Sequence, residues 1–120
     1  MTPTEIKLRK ASRQLAVMFD DGARFEYSFE YLRVHSPSAE VKGHGPGQER
    51  LQTGKEHVLI TAIEPVGHYA VRLVFDDGHN TGLFTWAYLR ELGENMDDNW
   101  QSYLDRLDAA GYARSKSQDH

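Results

Sequence analysis

Two Asp-Asp-Gly triplets, a pair of serines beside a histidine, and a histidine set in a glycine run are the features whose residue types and spacing could do chemistry in this chain. The paired carboxylates Asp20-Asp21 and Asp76-Asp77 are the raw material of general acid–base catalysis. Each pair, however, precedes a glycine and lies between apolar runs. Aspartate tolerates the backbone angles of a hairpin turn and glycine accepts positive φ, so turn formation is their expected use. Ser36 and Ser38 stand beside His35, and a hydroxyl within reach of an imidazole can become a nucleophile. No Gly-x-Ser-x-Gly elbow surrounds them, and no catalytic residue is assigned. The run Gly43-His44-Gly45-Pro46-Gly47 lacks a following Lys-Ser or Lys-Thr at phosphate-loop spacing and reads as a flexible loop. Cysteine is absent, which removes disulfides, thiolate metal sites and cysteine nucleophiles together.

The elements that must position these residues follow from hydrophobic periodicity. Ile6 and Leu8 alternate with polar residues as a strand, and Leu15-Ala16-Val17-Met18-Phe19 is a second apolar run. After the first triplet, Arg24-Phe25-Glu26-Tyr27 alternates as the returning strand, and Ser28 is placed to cap a short helix that stops near Pro37. Residues 36–55 read as a long polar loop, punctuated by Gly and Pro. A β-rich run from His57 to Glu64, a turn at Pro65–His68 and a strand from Tyr69 to Phe75 come next. Asp76-Asp77-Gly78 turns the chain, Thr81–Phe84 returns, and Thr85 caps a helix from Trp86 that Gly93 is expected to end. Met96, Trp100, Tyr103, Leu104 and Leu107 recur at helical spacing and predict a last amphipathic helix from about Asp97 to Ala110. The acidic start of that helix, Asp97-Asp98, suits the positive end of its dipole.

An internal repeat organises the chain. Phe19-Asp20-Asp21-Gly22 recurs as Phe75-Asp76-Asp77-Gly78, and Ser28-x-x-Tyr31-Leu32-Arg33 recurs as Thr85-x-x-Tyr88-Leu89-Arg90 with one extra residue in between. Gly82 is the expected site of that insertion, as a bulge. The fold class predicted is α+β: a small β-rich domain of two hairpin-plus-helix repeats with a C-terminal amphipathic helix. One domain is expected over residues 1–112, with a disordered polar tail over 113–120.

Composition narrows the function. The 120 residues carry a formal charge of −4, and nucleic-acid binding draws its affinity from a basic field. No apolar stretch approaches the ~20 residues needed to span a membrane. The polar N-terminus has no signal-peptide pattern. A cytoplasmic protein acting on neither nucleic acid nor membrane is the expectation.

Phe75-Asp76-Asp77-Gly78-His79, a short strand and Trp86-x-Tyr88-Leu89-Arg90 together resemble the gamma-butyrobetaine hydroxylase-like N-terminal domain family. The earlier run from Tyr31 through Ser36-Pro37-Ser38-Ala39-Glu40-Val41 resembles it too, so the likeness covers residues 4–92. In that family the domain precedes the catalytic domain of carnitine-synthesis dioxygenases, is fused to iron–sulfur carrier ATPases, or stands alone in bacteria. The stand-alone bacterial form is the nearest likeness. In the dioxygenases the domain holds a structural zinc through Cys-Pro-Cys-x-x-Cys and a histidine. At the matching positions this chain has Ser36, Ser38 and Val41, and keeps only His79. Serine hydroxyls are poor zinc ligands.

Two readings follow from the resemblance. In the first, the chain is a non-enzymatic accessory or protein-interaction domain, linked to iron–sulfur or cofactor metabolism, whose partner is another protein. Its contact residues would be Trp86 and Trp100, aromatic anchors of the kind interfaces favour, and Arg33 and Arg90 on the helix exteriors. In the second, His79 joins His35, His44 and Glu40 in a remodelled metal site for iron or zinc, a ligand set that suits either ion.

Overall fold

The structure is a computed structural model that describes residues 1–43, 47 and 49–114. Its elements run β1 (Pro3–Arg9), β2 (Gln14–Phe19), β3 (Arg24–Ser28), α1 (Phe29–Val34), α2 (Ala39–Lys42), β4 (Ile60–Val66), β5 (Ala70–Phe75), β6 (Leu83–Thr85), α3 (Trp86–Glu94) and α4 (Met96–Ala109). Two antiparallel sheets result, ordered β1-β2-β3 and β4-β5-β6. The fold is thus the expected α+β domain, but each repeat is a three-stranded sheet plus a helix. The sheets and helices enclose one main core, in which Tyr27, Tyr31, Phe19, Phe29, Phe84, Leu32 and Leu89 are all buried.

The first strands belong to the repeat although their sequences differ. Register shifts fall at equivalent places, between Pro3 and Glu5 and between Ile60 and Ala62. At each shift a threonine hydroxyl donates to a carbonyl across the strand pair, Thr4 to Met18 at 3.3 Å and Thr61 to Val74 at 3.2 Å. The β5–β6 pairing has no bulge; the inserted residue lies in the connection between His79 and Leu83. Both helices start as predicted: the Ser28 hydroxyl accepts from the Tyr31 amide at 3.0 Å and the Thr85 hydroxyl from the Tyr88 amide at 3.1 Å.

Several boundaries differ from expectation for physical reasons. Pro65 and Val66 sit inside β4, not in the turn. β4 is an edge strand, where a missing N–H breaks no ladder. The 36–55 segment is not all loop, because Ser38 caps the one-turn helix α2 by accepting from the Glu40 amide at 3.1 Å. Gly93 does not end α3, which continues to Glu94. A Cβ there would meet the Phe25 ring at 2.5 Å, so this glycine allows close helix–sheet packing. Arg114, which the sequence assigns to the tail, donates from Nε to Glu30 at 2.9 Å and lies over the Trp100 ring. The remainder of that tail, from 115, lies outside the described residues.

Candidate functional site

The two halves clasp each other reciprocally. Arg33 of α1 donates from Nε to Asp77 in the second turn at 2.9 Å. Its counterpart Arg90 of α3 reaches Asp21 in the first turn through two bonds of 3.0 and 2.9 Å. The tyrosines repeat the exchange: Tyr31 donates its hydroxyl to the Leu92 carbonyl and Tyr88 to the His35 carbonyl, both at 2.6 Å. Burial pushes both phenols up to about 12, so they stay protonated donors at neutral pH. Each second aspartate also accepts from the amide two residues on, Asp21 from Ala23 at 3.1 Å and Asp77 from His79 at 3.2 Å. The Arg90 hydrogen bond above all holds Asp21 down to about 2. At Asp77 burial pushes the pKa up, but hydrogen bonds from Lys55 and the His79 amide, with the Arg33 charge, outweigh it and leave it lowered.

The symmetry breaks at one place. In the first half Phe25 fills the space against Gly93. At the equivalent positions of the second half stand Gly82 and Ser36, and a Cβ on Gly82 would meet the Ser36 hydroxyl at 2.2 Å. The phenyl ring is replaced by a polar cluster. His79, 3% exposed, places Nδ1 2.7 Å from the Glu40 carboxylate and Nε2 2.8 Å from the Ser36 hydroxyl. Because a carboxylate only accepts, Nδ1 carries the proton and Nε2 accepts from Ser36 in the neutral ring. Ser38 and Thr81 add a hydroxyl–hydroxyl bond of 2.6 Å. Burial, then the positive charge of Arg33, lowers the His79 pKa, with Glu40 acting in the opposite sense.

Hydroxyl, imidazole and carboxylate in this order resemble a nucleophile relay. Ser36 is fully buried, however, and its oxygen already accepts from the Ser38 amide at 3.3 Å. A nucleophile must meet its substrate, and this one faces the Gly82 backbone. The cluster's chemistry is cross-linking: it ties the α1–α2 segment to the β5–β6 hairpin, where the resemblance places a zinc site in other members.

Zinc does not fit these residues. Both ring nitrogens of His79 are taken by protein groups, and no group of three or more His, Asp or Glu suited to a metal occurs among the described residues. Of the ligands proposed from sequence, Glu40 and His79 are brought together. His35 is turned elsewhere: its Nδ1 bonds the Tyr31 carbonyl at 2.9 Å and its ring packs on Tyr31 and Tyr103. Burial foremost lowers its pKa. His44 lies outside the described residues.

The contact residues proposed from sequence also divide. Arg33 is only 7% exposed, a correction to its placement on a helix exterior; burial against Phe75 and the Asp77 bond hold it inside. Arg90 is half-buried over Phe19 and Phe25. Trp86 and Trp100 are half-buried against the core, and Trp86 donates its indole N–H to the His68 carbonyl at 2.7 Å. Sequence reasoning missed Tyr69 and Leu83, which are 54% and 40% exposed on the second hairpin. Leu83 was hidden by its apolar type, which is ordinarily read as core.

The family model described as gamma-butyrobetaine hydroxylase-like, N-terminal, matches residues 6–90, more than half of the chain. Two proteins known from NMR solution structures are similar to it. One is 54% identical, with a TM-score of 0.80, over 94% of this chain and 84% of that one. The other is 45% identical, with a TM-score of 0.81, over 99% and 95%. A crystal structure of a protein of unknown function from Acidithiobacillus ferrooxidans is 47% identical, with a TM-score of 0.66, over 77% and 92%. No curated protein matches the chain.

Proposed function

The chain belongs to the gamma-butyrobetaine hydroxylase-like N-terminal domain family, and on that premise we propose that it is a non-enzymatic accessory domain acting through another protein. The observation that carries this reading is the exposure of Tyr69 and Leu83 on the second hairpin. Apart from Met1, they are the only exposed large apolar side chains among the described residues. The Tyr69 carbonyl accepts from the Trp86 amide at 3.0 Å, which ties the turn before β5 to the start of α3. Among the described residues β6 pairs with β5 alone, and an edge strand bearing an exposed apolar side chain is a place for a partner strand or loop.

The chemistry-bearing side chains support the same reading, since Ser36, His79 and Glu40 are bonded to one another. The setting proposed, iron–sulfur or cofactor metabolism in a bacterial cytoplasm, comes from the family resemblance. Among the described residues no helix is long and apolar enough to cross a membrane.

The test is photo-crosslinking in native cells from a reactive phenylalanine analogue at position 83, with position 105 on the exposed face of α4 as the control. A discrete adduct at 83, absent at 105, is expected. Equal or no adducts at the two positions would refute the reading. Titration of the purified protein with iron(II) and with zinc separates the metal reading. Saturable one-to-one changes at His79 that vanish in His79→Ala would make this a metal-binding protein instead.

A further inference from the structure

Eight of the lysines and arginines among the described residues lie within 4.0 Å of a carboxylate: Lys7, Arg9, Arg24, Arg33, Lys55, Arg72, Arg90 and Arg114. Five have no such partner: Lys10, Arg13, Lys42, Arg50 and Arg106. Three of those five, Lys42, Arg50 and Arg106, line a single cleft between the end of α1, α2 and α4. In a chain of net charge −4, unpaired cations converging on one cleft need a reason, because like charges brought together repel. Among the described residues Glu49 is the one carboxylate in the lining, so those side chains carry a local excess of two positive charges.

The floor of the cleft is apolar and aromatic, made by Val34, Val41, Tyr88 and Tyr103. Both phenol hydroxyls there are already committed to backbone carbonyls, Tyr88 to His35 and Tyr103 to Gln52, each at 2.6 Å. This fixes the rings and leaves recognition to the cations. Lys42 lies with Nζ 4.9 Å from the centre of the Tyr88 ring. The cavity volume is about 100 Å³, room for roughly three waters at ~30 Å³ each, the scale of one tetrahedral oxyanion and not of a nucleotide.

We propose that this cleft binds a phosphate-type dianion, either free inorganic phosphate or the phosphate group of a small monoester. The excess of two charges matches a dianion, and guanidinium and ammonium donors are the usual recognition groups for phosphate. The site is independent of the proposed partner surface, which lies on the second hairpin. Loss of either leaves the other standing.

NMR titration of the ¹⁵N-labelled protein tests it, with inorganic phosphate and with phenyl phosphate as probes and sodium chloride at matched ionic strength as reference. Saturable shifts centred on Lys42, Arg50, Tyr88 and Arg106 are expected with both probes and absent with chloride. Arg50→Gln and Arg106→Gln should each weaken binding about tenfold, the effect of losing one charge-assisted contact worth ~1.4 kcal/mol. Lys10→Gln should change nothing. All three side chains replaced are exposed or half-buried, so unperturbed spectra away from the substitution will report an intact fold. Tighter binding of phenyl phosphate would identify a monoester as the source, and equal binding free phosphate. Shifts reproduced by chloride, shifts scattered to Lys10, or affinity unchanged in both arginine variants would overturn the proposal.

Discussion

Arg33 and Arg90 hold the same place in the repeat and grip the same aspartate of the opposite turn, yet their replacement should have unequal costs. The Arg33 side chain is 8% exposed and that of Asp77 23%, whereas Arg90 and Asp21 are 18% and 41% exposed. Arg33→Gln removes the Asp77 bond, a second bond to Gln52 at 3.1 Å and the contact over Phe75. Breaking a buried ion pair by removing one partner costs about 3–5 kcal/mol. Lys55, 2.7 Å from the same Asp77 oxygen, keeps the stranded carboxylate partly compensated, which places the loss near the bottom of that range, ~3 kcal/mol. Arg90→Gln removes bonds to two largely solvated carboxylates, Asp21 and Glu94, worth together ~0–1 kcal/mol in exposed pairs. Its lost contact with the Phe19 and Phe25 rings adds ~0.5 kcal/mol. The expected gap between the variants is thus about 2 kcal/mol, or about 6–10 °C in Tm for a domain of this size. Urea denaturation of both variants at neutral pH measures it. Raising the salt should shrink the Arg90 effect far more than the Arg33 effect, since exposed charges are the ones screened. An Arg90 variant that loses as much stability as the Arg33 variant would refute the argument that burial, and not the shared motif, sets the energy.

Gly93→Ala should destabilise: the helix-propensity gain of ~1 kcal/mol is outweighed by overpacking against Phe25 at ~1–3 kcal/mol, while in a Phe25→Ala background the same change should turn stabilising. Thermal melts of the four proteins check this, and a stabilised Gly93→Ala single variant would contradict the contact. His79 and His35 both titrate below their ordinary 6.5 in the fold. The unfolded chain therefore binds protons that the folded one refuses, so their contribution is present above about pH 6.5 and lost as pH falls from there towards the folded values. Urea midpoints should decline from about pH 7.5 to 5.5, with a shallower decline in His79→Gln; a flat wild-type profile would count against the buried, neutral rings.

Much of the fold was legible in the chain because its signals are local. Alternation marked the strands, Asp-Asp-Gly the hairpins, and Ser28 and Thr85 the helix starts, and each acts within a few residues. Recurrence of the motifs exposed the duplication. Local signals also misled: Gly93 looks like a helix stop, and only the approach of Phe25 from another strand shows why a glycine stands there. The first strands hid their equivalence because Thr4 and Thr61 repeat a bulge and not a motif. Nothing in the order of residues says that Arg33 answers to Asp77 and Arg90 to Asp21, since those contacts join residues more than forty positions apart. The same holds for Ser36, Glu40 and His79, which the family resemblance brought near one another but whose protein bonds became visible only in three dimensions. Chain chemistry by itself determined most of the elements, the duplication and the absence of thiolate ligands. Tertiary packing decided which polar groups pair and which remain open, because that depends on the burial and distance of residues far apart in sequence.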